Sequence, residues 1–252
     1  MKVTPASIVA VQDKRMVVDW FLLLKASPYF AAPLIRSGLS ANAVTIMWGV
    51  INVATAFLVY RAIVGDLWLV PFIVVAFVVS EILDTSDGEI ARFTGTASPI
   101  GGKLLDGIAH KATEFSLVAA YAGGAAVLTQ SPAALPIGIA LLAGEAMLTY
   151  CYERRLLIIR VHMQSAEKIG GGRPRGGTYE AGTPWLALSW RDKCKSVAGL
   201  FSYKFAYLSI ALAWWQPTLF LWALAALAAY KHGSWCRLIL STLRSAERAV
   251  GA

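Results

Sequence analysis

The chain has 252 residues, of which 57% are hydrophobic and only 15% charged, and its mean hydropathy is +0.59. A soluble domain of this length needs more charge to cover its surface, so the composition argues against a soluble protein. The net charge of +8 comes without any aromatic-basic module of a nucleic-acid binder. We therefore expect no nucleic-acid partner, and we attribute the charge to basic loops that face anionic lipid.

The first 37 residues predict interfacial and juxtamembrane helices. Charged and bulky apolar residues alternate over residues 11–25, which is typical of an amphipathic helix lying in the membrane interface. Ser27-Pro28 is expected to end this helix, because proline disrupts a helix interior. A second short helix should follow and end at Gly38.

Residues 38–252 predict a bundle of six membrane-spanning helices. The uncharged stretches 43–60 and 205–230 are long enough to cross a bilayer as helices. The second of these is too long for one span, and Gln216-Pro217 divides it. The six predicted spans are about 40–60, 67–92, 102–128, 133–155 and two within 205–230. The predicted fold class is an all-α integral membrane protein with an N-terminal interfacial helix.

The basic residues predict the orientation of these spans. If the N-terminus is cytoplasmic, the outer connections near 61–66, 129–132 and 214–217 contain a single basic residue, Arg61. The inner segments then carry nearly all other lysines and arginines, as the positive-inside rule requires. The sequence therefore predicts a multi-pass protein of the cell membrane with both termini on the cytoplasmic side.

Acidic residues gather where the second predicted span ends and the third begins. Asp84 and Asp87 are three positions apart, so their carboxylates share one face of a helix. Asp106 and His110 lie four positions apart on the next helix, and a helical hairpin would bring the two faces together. Ionisable groups that enter a bilayer are costly and usually functional, so we expect these acids to form a site that faces the cytoplasm.

The chemistry of this expected site follows from its residue types. Clustered carboxylates repel one another unless a cation is present, and hard oxygen ligands select Mg²⁺ or Mn²⁺, commonly together with substrate phosphates. The small residues Gly88 and Ala91 let a bulky ligand approach the backbone closely, and Arg92 can pair with a phosphate. The pattern predicts a metal-assisted pyrophosphate site. Glu89 and Lys103 are interpreted instead as solvated charges at helix ends.

The same segment resembles the signature of the CDP-alcohol phosphotransferases. That signature reads D-x-x-D-G-x-x-A-R, then a spacer, then G-x-x-x-D-x-x-x-D. The residues that match it are Asp84, Asp87, Gly88, Ala91, Arg92, Gly102 and Asp106. Gly101 is an alternative for the second glycine, but Gly102 keeps the signature's spacing to Asp106. Residues 38–45 resemble the segment that helps to hold the cytidine nucleotide.

The resemblance implies specific roles for these residues. Asp84, Asp87 and Asp106 would bind the divalent metal, Mg²⁺ or Mn²⁺. The residues expected to line the CDP pocket are Asn42, Thr45, Gly88, Ala91, Arg92 and Gly102. The implied donor is CDP-diacylglycerol or a CDP-linked head group, and a hydroxyl acceptor would displace CMP from it. The family also implies six spans, membrane lipid as a partner, and a homodimer.

One position departs from the signature. His110 stands where the family has its last aspartate, the supposed general base. Histidine can act as a base near neutral pH, and it can also ligate a metal through nitrogen. We predict a catalytic role for His110 as base or ligand, and a catalytically weakened member of the family is the alternative.

Two further interpretations were weighed. A solute transporter is disfavoured, because the acids cluster at one end of the spans and no inverted repeat is evident. Arg154, Arg155 and Arg160 follow the fourth span and could bind a phosphorylated acceptor or a lipid head group. The positive-inside rule already accounts for them, so we assign them no site role.

Overall fold

A computed structural model describes the fold of most of the chain. The described backbone covers residues 3–10, 12, 15–17, 21–97, 101–163, 178–180, 188–199 and 203–250. Helices account for nearly all of it. Two three-residue strands, β1 (Arg15–Val17) and β2 (Thr178–Glu180), pair antiparallel. The predicted helical class is therefore confirmed, with this small strand pair as an addition.

The helices follow the predicted order. They are α1 Pro5–Val9, α2 Phe21–Arg36, α3 Ala41–Val64, α4 Val70–Thr94, α5 Gly101–Thr129, α6 Ala134–Met163, α7 Trp190–Gly199, α8 Lys204–Trp215 and α9 Pro217–Val250. The expected connection near 129–132 and the expected division at Gln216-Pro217 are confirmed. Pro217 is the first residue of its helix, where its fixed φ is favourable and its missing N–H has no helical partner to lose.

The chain is a membrane protein. Four described helices are long and apolar enough to cross a bilayer, namely Ala41–Val64, Leu67–Thr94, Leu104–Thr129 and Ala134–Cys151. Helix α8 is apolar but has only 12 residues, which span about 18 Å, whereas the hydrocarbon core is about 30 Å thick. The six-span count therefore stays a prediction.

The N-terminal segment corrects one prediction. Residues 15–17 form a strand rather than part of a helix, and α2 begins at Phe21 and passes through Pro28 without ending. The predicted helix over 11–25 that ends at Ser27-Pro28 is therefore wrong in both bounds. The expected end at Gly38 is confirmed, since this residue has φ +78°, a left-handed conformation that favours glycine.

A tertiary contact explains why α2 tolerates Pro28, one of its two internal prolines. Pro28 has no N–H, so the carbonyl of Leu24 loses its helical hydrogen bond. The side-chain amide of Gln12 donates to that carbonyl at 2.7 Å. An interaction between residues twelve positions apart thus replaces the missing backbone bond, and the local sequence around Pro28 does not reveal it.

The chain forms two compact units. The first comprises residues 1–62, 66–117 and 173–208, and the second comprises 63–65, 118–172 and 209–252. In the first unit, a buried cluster joins Ile8, Ala31, Trp48 and Ile90, so α1 to α4 share one core. The predicted boundary after residue 37 stays a prediction.

Candidate active site

A cavity of about 300 Å³ lies among α3, α4 and α5 in the first unit. The residues that the resemblance assigned to the nucleotide pocket all line it: Asn42, Thr45, Gly88, Ala91, Arg92 and Gly102. Asp87 and Asp106 also line the cavity. Residues from three different helices therefore face one space, which the spacing on each helix could not establish alone.

The start of α3 forms one wall of this cavity. Ser40 precedes the helix, and its hydroxyl accepts a hydrogen bond from the backbone N–H of Ala43 at 3.2 Å. This is the position where serine caps a helix. Ser40, Ala41 and Asn42 all line the cavity. The positive end of the α3 dipole therefore faces the cavity, and it favours anionic groups such as phosphates.

Asp87 is held in place by two donors on α3. Its Oδ2 accepts hydrogen bonds from the Thr45 hydroxyl at 2.6 Å and from the Trp48 indole Nε1 at 3.0 Å. Both donors are buried, and Trp48 is only 1% exposed. The two bonds fix the orientation of the Asp87 carboxylate and join α4 to α3 beside the cavity.

Asp84, Asp106 and His110 form a compact group of potential metal ligands. The Nε2 atom of His110 lies 3.3 Å from Asp106 Oδ1 and 3.7 Å from Asp84 Oδ1. One ligand atom from each residue lies within 4.8 Å of the others. Two carboxylate oxygens and an imidazole nitrogen suit Mn²⁺ well, and the carboxylates suit Mg²⁺, so these residues fit the implied cation.

Asp87 takes a different place from the other two aspartates. It lines the cavity, whereas the compact ligand group found among the described residues comprises Asp84, Asp106 and His110. The predicted metal set of Asp84, Asp87 and Asp106 therefore stays a prediction. His110 stands at the group itself, and its expected part in the chemistry stays a prediction.

The two signature glycines have different surroundings. A Cβ atom added at Gly88 would lie 3.3 Å from Nη1 of Arg92, so the missing side chain lets the guanidinium fold back over α4. A Cβ at Gly102 would meet no atom within 4 Å. Packing among the described residues does not require glycine at that position, and open space at the cavity wall suits close approach of a ligand.

Sequence reasoning missed two residues near the site. Trp48 lies three positions after Thr45, so its place on the same face of α3 was a usable signal. Its ring centroid also lies 4.8 Å from that of His110. Glu89 was interpreted as a solvated charge, and this is wrong because the residue is fully buried. The side chains of Arg154, Arg155, Arg160 and Lys103 lie outside the described part of the structure.

Comparison with protein families agrees with this geometry. A family model described as CDP-alcohol phosphatidyltransferase matches residues 38–230. No curated protein matches the chain significantly. The matched range begins at Gly38, directly after α2, so it includes every residue that lines the cavity and leaves out α1 and α2.

Proposed function

The chain belongs to the CDP-alcohol phosphatidyltransferase family, and we propose that it moves a phosphatidyl or phosphoalcohol group from a CDP-linked donor to a hydroxyl acceptor. The observation that carries this proposal is the shared cavity. All six residues expected to bind the nucleotide line it together with Asp87 and Asp106, and Asp106 is also part of the Asp84–Asp106–His110 group.

The donor's CDP moiety would occupy the cavity. The helix start at Asn42 and the guanidinium of Arg92 supply positive charge for the pyrophosphate. Gly88, Ala91 and Gly102 supply close backbone approach, since none of them presents a large side chain. This arrangement orients the phosphorus that carries the alcohol toward the acidic group on α4 and α5.

Asp84, Asp106 and His110 would hold Mg²⁺ or Mn²⁺, with Asp87 as a further donor. Such a cation, when bound, neutralises charge on the pyrophosphate oxygens and on departing CMP. Thr45 and Trp48 act on Asp87 by fixing its carboxylate. The fold thus holds several mutually repelling carboxylates close together at the position where the cation and the pyrophosphate would bind.

The transfer exchanges one phosphorus–oxygen bond for another. The acceptor oxygen attacks the phosphorus that carries the alcohol, the bond from that phosphorus to the CMP oxygen breaks, and the acceptor's hydroxyl proton leaves. A neutral His110 imidazole can accept that proton. The Nε2 atom of His110 also lies beside the carboxylates of Asp84 and Asp106, a position that suits a metal ligand. His110→Ala and His110→Asp separate the two roles.

We further propose that the site faces the cytoplasm and that the protein is a homodimer. The asymmetric distribution of basic residues supports the orientation, and family membership supports the dimer. Cys194 is exposed and belongs to a predicted inner segment. In a variant that keeps only this cysteine, an impermeant maleimide should label it in inverted vesicles and not in sealed cells; the opposite result would reverse the orientation.

The test of function is a reconstituted transfer assay. Purified protein is incubated with CDP-diacylglycerol or a CDP-linked amino alcohol, Mg²⁺ or Mn²⁺, and a panel of acceptors that includes glycerol phosphate, inositol phosphate, serine and diacylglycerol. We expect CMP release with one donor–acceptor pair, and none in excess chelator.

The control is Asp106→Asn, which removes one carboxylate of the proposed metal group. If CMP release survives this change and chelation, the assigned chemistry is wrong. If the wild-type protein binds CMP but releases none with any pair, the chain is a weakened member of the family, as the departure at His110 allows.

A further inference from the structure

The back of the signature helix carries a buried polar junction. Glu89 lies two residues after Asp87 on α4, and it is fully buried. Its Oε1 accepts a hydrogen bond from the Ser27 hydroxyl at 2.6 Å and another from the side-chain amide of Gln12. Among the described residues, Glu89 Oε2 has no partner. Burial of a carboxyl group is costly unless its oxygens are hydrogen-bonded, so a buried glutamate on this helix indicates a structural or functional role.

Gln12 joins three parts of the chain at this junction. Its amide nitrogen also donates to the carbonyl of Leu24 at 2.7 Å, the carbonyl that Pro28 leaves without a helical partner. The Gln12 side chain therefore supplies the hydrogen bond that α2 lacks at Leu24 and also contacts α4, the helix that carries the site. Loss of Gln12 would remove one of the two donors to Glu89 Oε1 and the amide donor to the Leu24 carbonyl.

Additional contacts tie the same surfaces together. The Ser86 hydroxyl on α4 lies 3.3 Å from the carbonyl oxygen of Ser27. Ile8 on α1 is fully buried in the cluster that also contains Trp48 and Leu83. The Arg36 side chain donates to the carbonyl of Val3 at 3.0 Å. The segment from α1 to α2 thus packs on the side of α4 that faces away from the cavity.

We propose that α1, Gln12 and α2 form a clamp that positions the signature helix α4 for donor binding, and that Glu89 on α4 is the positioning residue through which it acts. The clamp itself lies outside the family match, which begins at residue 38. Glu89 is not among the residues that line the cavity, and it acts through α4, the helix that also carries Asp87, Gly88 and Arg92. The inference rests on the proposed function, because it assigns the clamp a role in that same site.

The mechanism is positional and depends on hydrogen bonding rather than on charge. Asp87 accepts hydrogen bonds from Thr45 and Trp48 on the cavity side of α4. Glu89 accepts hydrogen bonds from Ser27 and Gln12 on the opposite side. Release of the rear contacts lets α4 shift relative to α3, which misplaces the donor-binding groups. Changes to residues that orient metal or substrate ligands typically cost about 10–100-fold in affinity or activity.

The experiment compares Glu89→Leu, Glu89→Gln and Gln12→Leu in detergent-solubilised protein. We expect Glu89→Leu and Gln12→Leu to raise the KM for the CDP-linked donor and the Kd for CMP by about 10–100-fold. Glu89→Gln keeps an oxygen that accepts both hydrogen bonds, so its KM should stay within about threefold of wild type. Thermal unfolding is followed in parallel, so that loss of folded protein is counted separately.

Thr129→Ala is the matched control outside the clamp. The Thr129 hydroxyl donates to the carbonyl of Ala125 at 2.7 Å within the second unit. This variant is expected to change stability without changing donor KM. A wild-type KM and CMP affinity in folded Glu89→Leu would overturn the proposal, and equal losses in Glu89→Gln and Glu89→Leu would overturn its hydrogen-bonding basis.

Amide hydrogen exchange provides a readout that needs neither turnover nor nucleotide binding. Gln12→Leu should raise exchange in the 84–94 peptide of α4 while leaving that of 217–230 in the second unit unchanged. Unaltered exchange over 84–94 would contradict the clamp even if the proposed transferase activity is absent. Conversely, raised exchange in a protein without CMP release would support the clamp and count only against the function.

Discussion

Both compact units contain acidic side chains within candidate membrane spans, but the neighbours of these side chains differ between the units. In the second unit, Glu145 on α6 lies 2.5 Å from the Nζ atom of Lys231 on α9. In the first unit, the ion-pair contacts found for Asp84 and Asp106 among the described residues are with His110. A lysine pairs with Glu145 in the second unit, whereas Asp84 and Asp106 lie close to each other and to His110.

The difference shows how to separate structural from functional charges in a membrane protein. The Glu145–Lys231 pair is supported by the neighbouring His232, whose Nε2 donates to the Ala140 carbonyl at 2.9 Å, and Trp235 donates to the other ring nitrogen. These contacts join α6 to α9. Carboxylates that lie close together without a lysine or arginine repel one another unless a cation binds. Such an arrangement within a membrane span is typical of a functional site.

The largest effect is expected from Asp84→Asn and Asp106→Asn. Each change removes a donor from the acidic group and should reduce CMP release by about 10³-fold or more. Stability should be retained or raised, because the change relieves repulsion between carboxylates. Transfer assays check the loss of activity, and thermal unfolding of the same preparations checks stability. A variant that unfolds would show that these aspartates, like Glu145, have a structural role.

His110→Ala should have the next largest effect. If the imidazole is the base, the rate should fall by roughly 10²–10⁴, and wild-type activity should rise with pH as the imidazole becomes neutral. If it is a ligand, additional Mg²⁺ or Mn²⁺ should restore part of the loss.

His110→Asp is the matched variant, because it restores the family's signature. It should retain substantial activity, with its pH dependence moved to lower pH because a carboxyl group ionises below an imidazole. Wild-type activity of His110→Ala at every pH and metal concentration would rule out both roles.

Lys231→Ala tests the paired acid of the second unit. Glu145 is buried and Lys231 is partly buried. Removal of the lysine should therefore lower the free energy of unfolding, by less than the loss of about 3–5 kcal/mol that is typical of a fully buried pair. Glu145→Leu combined with Lys231→Leu should recover most of it, since no charge is then left buried. An unchanged unfolding transition in Lys231→Ala would show that this pair does not stabilise the helices.

The smallest effect is expected from Trp48→Phe. This change keeps the ring beside His110 but removes the N–H that donates to Asp87, and a hydrogen bond to a charged group contributes about 1.5–3 kcal/mol. We expect about a tenfold loss in kcat/KM. Trp235→Phe is the control, because it removes an indole donor from the second unit and should leave kcat/KM unchanged.

Much of the fold and the site followed from the sequence because the signals are local. Ser40 and Pro217 mark helix starts through capping and backbone chemistry, and Gly38 marks a helix end. The spacing of Asp84, Asp87 and Asp106 places each on a known face of its helix. The segment before residue 21 was misjudged because an alternating pattern of charge and bulk does not by itself distinguish a surface helix from a short strand.

The sequence by itself determined that this chain crosses a membrane, where most of its helices begin and end, and which signature residues belong together. These properties depend on hydropathy, proline and glycine chemistry, and helical spacing, all of which act between near neighbours. Only the tertiary structure decided that Gln12 repairs α2 at Pro28, that Glu89 is buried behind the site and that Trp48 orients Asp87. These contacts join residues far apart in the chain, so they depend on how the helices pack and not on any local pattern.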